Sequence, residues 1–256
     1  MHTALLSALV SLTFSGQADS LTAKQIVDKA LDHTYLGSDG SEAQVTMILT
    51  SSRGTQRERR LMVWSQRLGK RVRSLVRIVS PPDVAGTSFL LTERAGGGDD
   101  MHLYIPALKR ARRLVGRARR GQFLGSDFTY ADLETKELRD ASHRRLPDEK
   151  IGRFPCHVIE AKPRPGADSQ YGKVVAFVRK DNFVTIRLEM YDDKGALQKQ
   201  LFVRRLGRTG TRTVIKESRM VNKREGSSTL LRLDSTRSLT SRPDEIFTVR
   251  NLARGL

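Results

Sequence analysis

Cysteine is nearly absent from this sequence of 256 residues, and that scarcity excludes several classes of structure. The single cysteine, Cys156, can form neither an intrachain disulfide bond nor a cysteine-based zinc site. It lies in the alternating stretch FPCHVIE at residues 154–160, which is typical of a β-strand. His157 would therefore point to the opposite face of that strand. We interpret Cys156 as a small buried side chain and not as a nucleophile.

Motifs for catalysis and for metal or nucleotide binding are also missing. The sequence contains no H-E-x-x-H, G-x-S-x-G or Walker A motif, and no G-x-G-x-x-G follows a strand. The five histidines include no pair with metal-ligand spacing on one element. We therefore predict no catalytic residue, no metal site and no cofactor, and we expect the protein not to be an enzyme.

Long hydrophobic runs are absent except for a short one near the N-terminus. Residues 3–14 are uncharged and mostly apolar, but the run is too short to span a bilayer comfortably. Gly16, Gln17 and Ala18 follow with the small–x–small pattern of a signal peptidase site. We predict a signal peptide over residues 1–18, cleavage after Ala18, and one exported domain over residues 19–256. A buried helix is the alternative, because no Lys or Arg precedes the run.

Acidic residues are outnumbered, with 28 Asp and Glu against 46 Lys and Arg, which gives a formal net charge of +18. This excess favours an anionic partner: nucleic acid, anionic lipid headgroups or an acidic protein. Residues 109–120 hold seven Lys and Arg without an aromatic residue for base stacking. Together with the export signal, this predicts an anionic membrane surface and no nucleic acid as partner. Solvated cationic strand tips are the alternative.

Apolar residues alternate with period two along most of the chain from residue 43 onward. We predict roughly eleven strands, including one at residues 136–145. Helices are predicted at residues 21–36, where Thr22 and Gln25 form a capping box, and at residues 126–133. A helical turn is predicted at residues 243–247. The pattern predicts a mainly β fold with a few helices (α+β), built on a single large antiparallel sheet that forms a barrel or an open, curved half barrel.

Four segments, in order, resemble a known family. They are SPPDVAGTSFLL at residues 80–91, LYIPALKRARRL at 103–114, FLGSDFTYADL at 123–133 and RPDEIFT at 242–248. Together they resemble the LolA-like outer membrane lipoprotein-sorting protein family of Gram-negative bacteria, over about residues 21–252. The resemblance implies an unclosed β-barrel lidded by short helices, a periplasmic location and the binding of lipid or lipoprotein acyl chains in the hollow between sheet and lid.

The resemblance and the alternation together give candidate site residues. The inward-facing residues of the early strands are expected to line the cavity: Val45, Met47, Leu61, Val63, Phe89, Leu91, Leu103 and Ile105. Residues 123–134 are expected to form a lid through Phe128, Tyr130 and Leu133. Arginines are expected at the rim or headgroup position: Arg71, Arg112, Arg113, Arg119 and Arg120. Arg71 lies in a place comparable to that of the arginine that latches the lid in the lipoprotein carriers.

Three functions are therefore compatible with the sequence. The leading hypothesis is a periplasmic carrier of lipid or lipoprotein acyl chains, in lipoprotein sorting or lipid transport. The alternative is a sensor or adaptor subunit that binds a membrane transporter or regulator, and an inner-membrane transporter is a candidate partner in either case. An esterase-like enzyme ranks third, because no nucleophile–base pair is found.

Overall fold

Thirteen antiparallel strands form one sheet in the part of the chain that the structure describes. The structure is a computed structural model, and it describes residues 21–31, 40–69, 71–94, 99–134, 136–209, 212–238 and 244–254. The predicted signal peptide at residues 1–18 lies outside these ranges. The strands are β1 (Ser41–Thr50), β2 (Gln56–Leu68), β3 (Arg71–Ser80), β4 (Ser88–Thr92), β5 (Asp100–Ile105), β6 (Arg110–Arg113), β7 (Ser142–Ile151), β8 (Phe154–Lys162), β9 (Lys173–Arg179), β10 (Thr185–Tyr191), β11 (Leu197–Thr209), β12 (Arg212–Asn222) and β13 (Ser227–Ser238).

The helical elements are short. They are the α-helices α1 (Ala23–Ala30), α2 (Lys136–Arg139) and α3 (Val249–Arg254), and 3₁₀ segments at Pro106–Leu108, Gly116–Arg120, Phe123–Gly125, Ala131–Leu133 and Asp244–Phe247. The predicted capping box of α1 is confirmed, since Gln25 N donates to Thr22 Oγ1 at 3.2 Å and Thr22 N donates to Gln25 Oε1 at 2.8 Å. Ile26, Val27 and Ala30 form its buried face, and the helix packs against β7, β8 and α2.

The strand order is β6-β5-β4-β3-β2-β1-β13-β12-β11-β10-β9-β8-β7. Strand β1 is the sixth of the thirteen strands in this order, and it pairs with β2 on one side and with β13 on the other. Strands β6 and β7 form the two edges, so the sheet does not close into a barrel within the described residues. This confirms the predicted class, a mainly β fold with one large, open antiparallel sheet and few helices.

The connection from β6 to β7 has to join opposite edges of the sheet. We call this connection, residues 114–141, the crossover segment. Leu114, Phe123, Leu124, Phe128 and Tyr130 of this segment are buried in the same core as the inward residues of β1–β5. The crossover segment therefore runs over the inner face of the sheet and covers it.

Several predicted elements are wrong in detail. Residues 136–145 are not one strand, because helix α2 precedes strand β7 there. Strand β6 was not predicted, because its sequence RARR shows no alternation of apolar residues. The helix predicted at residues 126–133 is reduced to the 3₁₀ segment Ala131–Leu133. The carboxylate of Asp127 bonds the distant Thr229 instead of capping a helix, and tertiary contacts therefore override the local signal.

The outer face of the sheet has its own apolar cover. Trp64, Leu75 and Leu90 point outward from β2, β3 and β4 and pack with Ile246 and Phe247 of the C-terminal segment. The helical turn predicted at residues 243–247 is confirmed as the 3₁₀ segment Asp244–Phe247. The C-terminal segment thus protects the apolar outer face of this half of the sheet from water.

Cys156 is buried in a separate outer-face cluster with Val158 and Phe177. Ile159 of the same strand belongs to the inner core, as expected for alternating residues. Burial raises the pKa of the Cys156 thiol, so its reactive thiolate form is disfavoured. The interpretation of Cys156 as a small buried side chain is confirmed.

Candidate functional site

A cavity of about 150 Å³ lies between the inner face of the sheet and two covering elements. Strands from both halves of the sheet supply its wall, including Val76 of β3, Ala176 of β9 and Leu201 of β11. Helix α1 contributes Val27 and Ala30 to the cover, and the crossover segment contributes the rest. A space of this size with mostly aliphatic walls suits an apolar ligand, because polar groups would lose hydration there without replacement partners.

Only two of the eight residues predicted to line the cavity do so. Phe89 and Leu91 of β4 are in the wall. The other six side chains lie in or against the surrounding core and, among the described residues, do not line the cavity: Val45, Met47, Leu61, Val63, Leu103 and Ile105. Five of them are buried, and Ile105 is half-buried. Next to these six residues, side chains of the crossover segment cover the inner face of the sheet. The alternation therefore identified which side chains point to the inner face, but not which of them line the cavity.

The C-terminal half of the sheet provides wall residues that were not predicted. Val174 and Val178 of β9 and Leu188 and Met190 of β10 line the cavity. Their period-two alternation was visible in the sequence. The pairing that brings these strands opposite β3 and β4 was not visible, because it depends on the long-range contact between β1 and β13.

Of the three predicted lid residues, two line the cavity and one packs in the surrounding core. Phe128 and Leu133 face the cavity, whereas Tyr130 packs in an aromatic cluster with Phe89 and Phe123. The ring centroids in this cluster are 5.1 Å apart for Phe89–Tyr130, 5.5 Å for Phe89–Phe123 and 5.6 Å for Phe123–Tyr130. The cluster fastens the crossover segment to β4, and its edge-to-face pairs add to the stabilisation from burial.

Polar contacts fasten the crossover segment to the middle of the sheet. Asp127 N donates to Thr229 Oγ1 at 2.9 Å, and that hydroxyl donates to Asp127 Oδ2 at 2.6 Å. Thr229 of β13 is fully buried. The Arg59 guanidinium of β2 donates to the Leu124 carbonyl oxygen. Arg59 thus links β2 to the crossover segment.

The carboxylate of Asp132 lies where the crossover segment meets the C-terminal half of the sheet. It accepts hydrogen bonds from Tyr171 Oη and Gln170 Nε2, both at 2.8 Å, and from the amide of Thr129 at 2.7 Å. The Lys199 ammonium group of β11 is 3.4 Å away. Asp132 lines the cavity, so these contacts form a polar side of an otherwise apolar space.

Two further cavity carboxylates have arginine partners. Arg119 Nε donates to Glu134 Oε1 at 2.8 Å. Burial alone would lower the pKa of the Arg119 guanidinium, but the hydrogen bond and charge of Glu134 raise the pKa above its usual value. At the other side, Arg139 Nη2 lies 3.5 Å from Glu93 Oε2. Both pairs neutralise carboxylates that would otherwise be costly to bury.

The predicted rim arginines lie in different surroundings. Arg119 is mostly buried in its pair with Glu134, whereas Arg71 and Arg112 are exposed. Arg113 pairs with Asp100, and Arg120 pairs with Asp168. Strand β6 holds Arg112 and Arg113, the crossover segment holds Arg119 and Arg120, and Arg71 begins β3.

The described residues offer little for metal chemistry or for a helical membrane anchor. Among them, no group of three or more His, Cys, Asp or Glu residues is placed to hold a metal ion. No helix in the described ranges has the length and apolar character needed to cross a membrane.

Comparison with known proteins places this fold in a family. A protein-family profile with the description "Uncharacterized protein" matches residues 70–254, which is most of the chain. No curated protein matches the sequence.

Three solved structures are similar over nearly the whole chain. A putative outer membrane lipoprotein-sorting protein domain from Vibrio parahaemolyticus is 31% identical, with a TM-score of 0.82 over 91% of this chain and 98% of the other. A DUF1329 family protein from Desulfovibrio piger is 26% identical, with a TM-score of 0.81 over 90% and 98%. A LolA superfamily protein from Nitrosomonas europaea shares the fold at 21% identity, with a TM-score of 0.72 over 91% and 100%. The chain belongs to the LolA-like outer membrane lipoprotein-sorting protein family.

Proposed function

We propose that this protein is a periplasmic carrier that shelters an acyl chain of a lipid or lipoprotein between its sheet and its cover. The observation that carries this proposal is the mostly apolar cavity between the inner face of the sheet and the cover formed by α1 and the crossover segment. The similar domain from Vibrio parahaemolyticus, described as putatively lipoprotein-sorting, supports it. The proposed role is binding and transfer, without catalysis, and export would depend on the predicted signal peptide at residues 1–18.

The size of the cavity indicates how such a carrier would load. A cavity of about 150 Å³ resembles in volume an engineered cavity in another protein that accepts benzene. A complete acyl chain therefore requires the cover to move outward. Burying a chain of about fifteen methylene groups would contribute roughly 12 kcal/mol as an upper bound, at about 0.8 kcal/mol each.

Mass spectrometry of organic extracts from the native, exported protein tests this function. We expect a lipid or an acylated peptide to co-purify in an amount comparable to the protein. The sensor or adaptor alternative instead predicts a lipid-free protein that co-purifies with a membrane protein. A protein that is lipid-free and fails to bind added fatty acid would contradict the carrier function.

The basic edge of the sheet supports an anionic membrane as a docking partner. Two apolar side chains flank the basic residues at 109–113: Leu108 is 63% exposed and Val115 is 59% exposed. Arg110, Arg112 and Arg117 are exposed beside them. Exposed apolar residues next to arginines suit a surface that contacts both headgroups and the acyl boundary. Charged edge strands also prevent sheet-to-sheet aggregation, which is the competing explanation.

The triple variant Arg110→Gln, Arg112→Gln, Arg117→Gln tests this docking surface. We expect at least about tenfold weaker binding to vesicles that contain phosphatidylglycerol, because each basic residue near such a surface contributes about 1 kcal/mol. Raised salt should have the same effect on the wild type by screening. The control removes three exposed arginines elsewhere, Arg53, Arg57 and Arg224. Equal vesicle binding by both variants and the wild type at low salt would contradict this surface.

A further inference from the structure

One wall of the cavity is a contact between two chain segments and not part of a strand. Asp132 lines the cavity from the crossover segment, and Tyr171 lines it from the loop between β8 and β9. Tyr171 Oη donates to Asp132 Oδ1 at 2.8 Å, so the two sides touch. We call this contact, between residues 129–134 and residues 168–171, the seam. The loop side reaches the surface, because the side chain of Asp168 is 57% exposed. Opening the seam would therefore open a path from the surface into the cavity.

The polar contacts of the seam converge on one carboxylate. The side chain of Asp132 is 5% exposed and accepts from Tyr171 Oη and Gln170 Nε2 of the loop. The Lys199 ammonium group of β11 lies 3.4 Å from Asp132 Oδ2. Gln170 Nε2 also donates to Thr129 Oγ1 at 2.9 Å, beside the carboxylate. A single side chain of the cover thus joins it to the loop and to the C-terminal half of the sheet.

The two sides of the seam are held differently. On the cover side, the backbone amides of residues 132–134 donate to the carbonyl oxygens of residues 129–131, within the crossover segment itself. On the loop side, Gly172 N donates to the Tyr191 carbonyl oxygen at 2.9 Å. A Cβ on Gly172 would lie 2.6 Å from the Asp192 carbonyl oxygen, so the end of the loop is pressed against the neighbouring turn. The cover side of the seam can therefore move away while the end of the loop stays in place.

We propose that Asp132 is the latch of an entrance at the seam, through which the acyl chain passes into the cavity. The proposal rests on the acyl-binding function above and adds the route of entry and the residue that controls it. With the seam closed, the Asp132 carboxylate joins the cover to Tyr171 and Lys199. Its release lets residues 131–134 move outward and exposes the aliphatic wall behind them to the incoming chain. Asp132 thus sets the rate of loading, whereas the affinity comes from the apolar wall.

The rate of loading tests the latch. In stopped-flow mixing with cis-parinaric acid, a fluorescent fatty acid, we expect Asp132→Asn to load at least about tenfold faster than the wild type. The substitution keeps the shape of the side chain and removes its charge-assisted hydrogen bonds. Tyr171→Phe removes one donor, keeps the ring in the wall and should load at least about threefold faster. The control Asp168→Asn makes the same exchange at the exposed pair with Arg120 and should load within about twofold of the wild-type rate.

A reversible cross-link closes the seam without the Asp132 carboxylate. The double variant Asp132→Cys, Gln170→Cys should load as fast as Asp132→Asn. A short bis-methanethiosulfonate reagent that joins the two thiols should slow loading to below the wild-type rate, and a reducing agent should reverse the effect. Cys156 is fully buried and does not compete for the reagent. Asp132→Cys alone, given the same reagent, should stay fast.

The outcomes separate the latch from the acyl-binding function. Binding by the wild type together with an unchanged loading rate for Asp132→Asn overturns the latch and leaves the acyl-binding function intact. Rapid loading by the cross-linked protein does the same. Equal acceleration by Asp168→Asn and Asp132→Asn would show a general loosening of the cover and would also overturn the latch. Failure of the wild type to bind cis-parinaric acid overturns both proposals.

Discussion

Replacing Leu91 with glutamate is expected to abolish acyl-chain binding. Leu91 is 4% exposed and lies in the cavity wall. A carboxylate there would either ionise without a partner or recruit water, and both outcomes oppose entry of an alkyl chain. We expect about a hundredfold loss of affinity in a titration with a fluorescent fatty acid, since a loss of about 3 kcal/mol lies within the range of about 2–7 kcal/mol for an unpaired buried polar group.

Leu91→Glu also costs stability, so a second variant has to separate binding from folding. Ala161 of β8 lines the cavity, and Ala161→Phe fills the space without adding charge. We expect the same loss of binding, with thermal unfolding close to that of the wild type. Ala111→Phe makes the same substitution against the outer-face cluster and should leave binding unchanged. A folded Ala161→Phe variant with wild-type affinity would show that this cavity is not the acyl site.

Phe123→Ala is expected to lower the free energy of unfolding by about 3–5 kcal/mol, the range for a large buried aromatic side chain. Phe123 is 1% exposed and contacts Phe89 and Tyr130 edge to face at 5.5 and 5.6 Å. Its removal leaves a hole at the point where the crossover segment meets β4. Urea denaturation monitored by circular dichroism measures the change.

The control for Phe123→Ala is a truncation of an exposed residue in the same part of the chain. Leu108→Ala removes a side chain that is 63% exposed and should change stability by less than about 0.5 kcal/mol. A loss below about 1 kcal/mol for Phe123→Ala would mean that the crossover segment is not packed as a stable cover. The cover would then be too weakly held to enclose a ligand.

Local features of the structure were predictable where the physical signal is itself local. Thr22 and Gln25 are three residues apart and satisfy each other's backbone groups, so the start of α1 was correctly predicted. The alternation around Cys156 placed it on the face opposite His157 and predicted its burial. The turns and short strands predicted one large antiparallel sheet, either a barrel or an open half barrel, and the resemblance implied the open form that the described residues show.

Features set by contacts between distant residues were missed. The helix predicted at residues 126–133 fails because Asp127 bonds Thr229, one hundred and two positions away. Strand β6 exists because its backbone pairs with β5, although its side chains show no apolar pattern. Of the eight predicted cavity residues, Phe89 and Leu91 line the space, since crossover side chains occupy the inner face near the others.

The sequence by itself determined the mainly β fold, the capped first helix, the buried cysteine and the family, because alternation, capping and ordered motifs depend on neighbouring residues. The tertiary structure decided where the cavity lies. Pairing of β1 with β13 puts β6 and β7 at opposite edges, so the chain between them must cross the inner face. The packing of Phe123 and Tyr130 then fills one part of the hollow and leaves another open.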